Sequence, residues 1–451
     1  MRRKFYEDPI DSYLPQNGNR GYRVSRYELE LGYRVASNRL AGRAVIIAVT
    51  TAVRDWFALD LSQALTVAKV YVNGTKAARY THQHGKLAIT PQQKIPAGGV
   101  LEITVQYAGT PKPVRGPWGE VGWEELTEGA LVASQPNGAA SWFPCDDHPS
   151  SKASYRISIT TDSPYYALAN GSLLRKQVKA SQTTWVYEQA EPMAAYLATI
   201  QIGNYRKYRI GPAQAAVPMQ AVVPARLRAN FEHDFARQPR MMAVFTEKFG
   251  PYPFEGYSVV VTEDDLEIPI EAQSISIFGA NHCDGRRGAE RLVAHELAHQ
   301  WFGNSLTLRR WRDIWLHEGF ACYAEWIWSE ASGGASADQL ARAARNNLAR
   351  QPQDLVVGDP GPKLMFDDRV YKRGALTLHA LRLELGDREF FRLIREWTTR
   401  YRHGSVTSEE FTDLAGHYSV VPLRGLFDAW LGETTLPQLP PIGGLGGNRR
   451  A

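Results

Sequence analysis

Cysteine is scarce in this chain, with three residues among 451, and that scarcity excludes a disulfide framework as the basis of the fold. Cys145, Cys283 and Cys322 make an odd count without metal-ligand spacing, so reduced thiols in a cytoplasmic setting are expected. Long apolar runs are also missing. The longest, such as Ala44 to Val53, are bounded by charge and fall far short of the roughly 20 residues a membrane-spanning helix needs. The start MRRKFYEDPIDSYLPQ opens on basic residues but continues with acidic, aromatic and proline residues, where a signal peptide needs an apolar stretch. Neither a membrane partner nor export by that route is expected. Charge of one sign is not concentrated: the net +5 comes from basic residues scattered along the chain, without the runs and interleaved aromatics of a nucleic-acid groove. No nucleic-acid partner is expected.

What is present is an ordinary globular balance, 44% apolar, in a chain longer than one typical core, which predicts two domains. From Tyr22 to Tyr107, and again from Lys152 to Tyr205, polar and apolar residues alternate in short runs such as Tyr27-Glu28-Leu29-Glu30-Leu31 and Tyr155-Arg156-Ile157-Ser158-Ile159. This is the pattern of half-buried strands. From about Phe231 the period becomes helical. Helices are predicted over 231–249, 287–302, 314–332, 337–350, 371–385, 388–400 and 408–418, with short strands near 257–261 and 274–278. The fold class is α+β, with an all-β domain over 1–205, a mainly helical domain over 206–436 and a flexible Pro/Gly-rich tail over 437–451.

The chemistry is concentrated in His295-Glu296-Leu297-Ala298-His299 and in Glu318 beyond it. On a helix, histidines four apart project from one face and can reach one metal ion. Catalytic zinc sites of this kind take two imidazole nitrogens and one carboxylate oxygen and leave the fourth position for water; Glu318 completes the set. Glu296, next to the first histidine, can lean over the open side as a general base. A bare HExxH arises by chance, and the glutamate inside a second helical segment is what makes the match specific. Glu325, two turns beyond Glu318, can accept a hydrogen bond from the far nitrogen of a ligating imidazole; Asp313 is a weaker candidate for the same duty. His317 must point about 100° away from Glu318, and Cys322 is read as a small buried side chain. One zinc ion per chain is expected.

The segments HELAHQWFGN from His295 and WRDIWLHEGFACYAEW from Trp311 resemble the gluzincin aminopeptidase family, which includes aminopeptidase N and the leukotriene-hydrolase enzymes. The family usually carries Asn where His317 stands. The resemblance implies a saddle-like β domain followed by a thermolysin-like catalytic domain. It also implies the transition-state tyrosine: the family's Tyr-x-Lys-Gly is matched by Tyr371-Lys372-Arg373-Gly374, with Arg for Lys, and a tyrosine hydroxyl suits a developing oxyanion. The anchors for a substrate α-ammonium are implied at two places. One is Glu271, in a degenerate version of Gly-x-Met-Glu-Asn that reads Ile268-Pro269-Ile270-Glu271-Ala272. The other is Gln135, ahead of Trp142-Phe143-Pro144-Cys145-Asp146.

The expected activity is therefore a zinc aminopeptidase acting on peptides with a free N-terminus, in peptide catabolism. Family members lay the Gly-x-Met-Glu-Asn backbone along the substrate as an added strand, and Pro269 cannot donate there. That weakening keeps a zinc endopeptidase as an alternative, beside a non-catalytic peptide-binding protein. Most relatives continue into a helical domain that covers the active site, so a more open cleft is expected. A homodimer is left open, and the preferred N-terminal residue does not follow from the sequence.

Overall fold

The computed structural model describes residues 10–440. The first nine residues and the tail from 441 onward, where the signal-peptide reading begins and most of the expected flexible tail falls, lie outside the described residues. By contacts the chain forms two compact units, Met1–Ala229 with Phe254–Cys283, and Asn230–Pro253 with Asp284–Ala451.

The first unit is built of strands, as expected. Along Tyr22–Arg34 the alternation puts Val24, Tyr27, Leu29 and Leu31 inside and their neighbours outward, so one face of the strand can be buried while the other stays wet. This strand pairs antiparallel with Arg39–Thr50 and parallel with Lys152–Asp162. It stands near the middle of an eight-stranded sheet whose edges are Ser172–Lys179 and Thr75–Lys76. Tyr27 stacks on Tyr155 at 4.8 Å, and Phe143 meets Tyr27 edge-on at 5.5 Å. The Trp142-Phe143-Pro144-Cys145 segment is thereby fixed under the sheet. Just ahead of it, Gly138 lies so close to the Gly122 backbone that a Cβ would come within 2.5 Å of the Gly122 nitrogen. The tight turn carrying Gln135 depends on that approach.

The same unit holds a five-stranded sheet in the order Tyr205–Ile210, Met219–Pro224, Tyr257–Val261, Ile275–Phe278, Ile270–Ala272. The last strand is an edge the sequence reading missed, because three residues after a proline carry no alternation to detect. It turns back through Ser274 at φ 64°, and Asn170 holds the turn by donating to the carbonyl of Gln273 at 2.8 Å.

The helices are α1 (Arg228–Asp234), α2 (Gln238–Phe249), α3 (Glu290–Ala298), α4 (Trp315–Ser332), α5 (Ala337–Leu348), α6 (Asp368–Arg400), α7 (Ser408–Gly416) and α8 (Arg424–Phe427). The helix predicted over 231–249 is two, since Pro239 lacks an N–H and opens a helix instead of continuing one. The two helices predicted over 371–385 and 388–400 are both present, running on as α6 across a kink where Gly386 takes the non-helical φ 76° and ψ 159°. In the second unit α4 is buried nearly all round from Trp315 to Trp328, which marks a central helix. Trp315, Phe302 and Phe411 pack around its Phe320. All three cysteines are buried and unbridged. Among the described residues no helix is long and apolar enough to cross a membrane.

Candidate metal centre

In the second unit α3 begins late, because Arg287 at φ 59° cannot be helical. It then carries His295 and Glu296, and His299 caps its end in helical geometry, with its N–H on the His295 carbonyl at 3.2 Å. Both imidazoles therefore keep the four-residue stagger although the helix stops at Ala298. Beyond the cap the chain folds back, and Phe302 receives the His299 Nδ1 on its carbonyl at 3.0 Å. Gly303, at φ 135°, allows this turn, where a Cβ would stand 3.3 Å from that same nitrogen.

Glu318 enters from the first turn of α4. Its Oε2 lies 3.5 Å from His295 Nε2 and 3.5 Å from His299 Nε2, and all three side chains are buried. A tetrahedral ion with bonds of 2.0–2.1 Å spaces its donors by about 3.4 Å, so the separations fit zinc. Each Nδ1 is already occupied, His299 on the Phe302 carbonyl and His295 on Glu325 Oε1 at 2.8 Å. Those partners place the ring proton on Nδ1 and aim the Nε2 lone pair at the shared centre. His295, His299 and Glu318 can thus hold one ion together.

Burial pushes His295 down, but Glu318 and Glu325 outweigh it and raise it to about 9. Burial likewise pushes Glu318 and Glu325 up, yet the facing imidazoles hold both below the usual carboxylate range. Glu325 Oε1 also accepts from Arg291 at 2.9 Å. Sequence reasoning missed Arg291, although it stands one turn before His295 on the same face. Lys372 approaches Cys322 Sγ at 3.4 Å, while burial pushes that thiol up to about 12, which leaves it a packing group.

Tyr371 sits in the first turn of α6, and its ring lies parallel to that of His295, centroids 6.1 Å apart and tilted by 15°. The crossing of α4 and α6 sets this relation. Gly319 follows Glu318, and Gly374 comes three residues after Tyr371. A Cβ on either glycine would meet the other's backbone at 2.9 Å. A glycine costs a helix interior roughly 1 kcal/mol, and here two of them let the helix bearing Glu318 touch the helix bearing Tyr371.

His317 does not join the cluster; it is buried, with its ring toward Gly303. Asp313 is engaged elsewhere, with Arg310 at 3.0 Å and Ser408 Oγ at 2.7 Å. In the first unit the two expected ammonium anchors meet each other: Gln135 Nε2 donates to Glu271 Oε1 at 2.6 Å. Glu271 is buried on the edge strand, while Ile268 beside it is 65% exposed.

The chain matches two family models, the Peptidase M1 N-terminal domain over residues 25–197 and the Peptidase family M1 domain over residues 234–430. It is similar to a crystal structure of an M1 zinc metallopeptidase from Deinococcus radiodurans, with 27% identity and a TM-score of 0.88, covering 96% of this chain and 100% of that one. A variant of that enzyme bound to a Tyr-Ser-Ala substrate superposes equally well, with a TM-score of 0.88. Among curated proteins, the Tricorn protease-interacting factor F2 of Thermoplasma acidophilum is 26% identical over 69% of this chain and 42% of its own length. The leucyl aminopeptidase of Saccharolobus solfataricus is 21% identical over 92% of this chain and 54% of its own. The chain thus spans about half the length or less of these curated relatives, whereas it spans the whole of the Deinococcus enzyme. With both domain matches in order and a donor set that fits zinc, the chain belongs to peptidase family M1.

Proposed function

We propose that this protein is a zinc aminopeptidase that removes the N-terminal residue from peptides. The observation that carries the reading is the convergence of His295 Nε2, His299 Nε2 and Glu318 Oε2 at 3.5 Å, with each Nδ1 tied off behind. These three residues hold the ion. Zinc, when bound, supplies a Lewis acid that polarises the scissile carbonyl and makes water acidic enough to be deprotonated near neutral pH. Glu296 takes the proton of the attacking water on its carboxylate and passes it to the leaving amine nitrogen. Tyr371 donates its hydroxyl proton in a hydrogen bond to the developing oxyanion. Glu325 keeps the His295 ring in orientation. Glu271 and Gln135 bind the substrate's α-ammonium, for which a buried carboxylate with an amide oxygen beside it is the matching chemistry.

The division read from the sequence, a β domain over 1–205 and a catalytic domain over 206–436, is kept as the functional one, supported by the two family matches. Three buried, unbridged thiols favour a reducing compartment, the cytoplasm, and a role in peptide catabolism.

Hydrolysis of aminoacyl amides with a free or an acetylated amino group, before and after chelation and zinc restoration, tests this reading. Zinc-dependent cleavage confined to free amines is expected. Equal cleavage of acetylated substrates would instead make this a zinc endopeptidase, and no cleavage by zinc-loaded protein would leave a peptide-binding role.

A further inference from the structure

Arg373 stands two residues after Tyr371 in α6 and is 4% exposed, yet no carboxylate among the described residues is bonded to it. Its guanidinium instead donates to five backbone carbonyls of one segment. Nε reaches Trp430 O at 2.8 Å and Nη1 reaches Thr434 O at 2.7 Å. Nη2 serves Ala429 O at 2.9 Å, Glu433 O at 2.6 Å and Thr435 O at 3.0 Å. These acceptors belong to the π-helical turn Asp428–Gly432 and the three residues just after it, where a helix end leaves carbonyls without intrahelical partners. Arginine stands here in place of the lysine of Tyr-x-Lys-Gly. A lysine ammonium presents three donors from a single point and cannot span these five acceptors.

We infer that Arg373 is a positioning residue for Tyr371, acting by clamping the first turns of α6 to residues 429–435. Tyr371 occupies a first turn, where the backbone N–H groups have no intrahelical partners and the helix is prone to fray. Order at such a place comes from side-chain anchors. Residues two apart on a helix point about 200° from each other. The Arg373 clamp therefore lies on the side of α6 away from the Tyr371 ring, which faces His295 at 6.1 Å. The Gly374–Gly319 contact fixes where α6 touches α4, and the clamp fixes the roll of α6 about that point. A catalytic group must be held to within about 0.5 Å, so releasing the clamp displaces the Tyr371 hydroxyl. It leaves the donors on α3 and α4 in place.

The inference rests on the oxyanion role proposed for Tyr371, and a double-mutant cycle separates the two. In full-length, zinc-loaded protein, Arg373→Gln and Arg373→Lys are each made alone and with Tyr371→Phe, and zinc content, kcat and KM are measured on a free aminoacyl amide. The expected result is full zinc content, with kcat of Arg373→Gln reduced about tenfold or more and KM within about twofold. Arg373→Lys should fall between it and the parent. In the Tyr371→Phe background the loss from Arg373→Gln should shrink to less than about twofold. Turnover by Arg373→Gln within about twofold of the parent, or a loss undiminished by Tyr371→Phe, would overturn the inference and spare the tyrosine. Normal turnover by Tyr371→Phe alone would overturn both. If Arg373→Gln does not fold, Arg373→Lys is judged by the same criteria: a kcat loss that disappears with Tyr371→Phe supports the clamp, and no loss or an undiminished one overturns it.

Discussion

Asp60, Asp146 and Asp147 are buried in the first unit, and Glu318 and Glu325 are buried in the second. In the first cluster Lys86 lies 2.5 Å from Asp60. Asp146 is satisfied by neutral donors, including the backbone and side chain of Asn19. Burial pushes Asp146 up to about 6, and burial together with Asp60 pushes Asp147 well above the usual carboxylate range. In the second cluster burial acts in the same direction, yet His295, His299 and Arg291 face the acids and hold them low. Low-dielectric surroundings raise a lone acid and strengthen a paired one. Burial alone does not mark a site. What distinguishes the candidate metal centre is burial combined with convergent nitrogen donors.

Replacing an acid in each cluster should have opposite consequences, and the largest effect is expected at Glu318. Glu318→Gln removes an ionised oxygen from the donor set, so zinc affinity should fall by more than the 10- to 100-fold typical of a supporting residue; competition against a chelator measures this. Glu325→Gln keeps a hydrogen-bond acceptor at His295 but removes the charge. It should weaken zinc by about 10- to 100-fold in the same assay. Equal affinity would mean that Glu325 merely pairs with Arg291.

Asp146→Asn should leave zinc content unchanged and alter stability in a pH-dependent way. An acid whose folded pKa is raised contributes stability that is complete below its unfolded value near 3.8 and is lost as pH rises through about 6. The variant, which cannot ionise, should therefore gain about 2 kcal/mol relative to the parent between pH 4 and pH 7. Urea unfolding of both proteins at each pH reads that double difference. A constant difference would mean that Asp146 is not perturbed by burial.

The convergence of the candidate site was legible in the sequence because its information is local. The stagger of His295 and His299 and the two-turn step from Glu318 to Glu325 are helix arithmetic, and the alternation over Tyr22–Arg34 is strand arithmetic. What escaped is non-local or short. The Arg373 partners lie more than fifty residues further along, and the Gly319–Gly374 contact joins helices whose crossing no spacing encodes. The edge strand Ile270–Ala272 is too short for a period.

The proposed zinc centre depends on one carboxylate, that of Glu296, for its proton transfer. Zinc content and turnover of a free aminoacyl amide, measured on the same preparations of the parent and of Glu296→Gln, test it most directly. One zinc per chain in both proteins, with turnover in the parent alone, is the expected result. Turnover by Glu296→Gln at the parent's rate, or a parent that hydrolyses the amide without zinc, would contradict it.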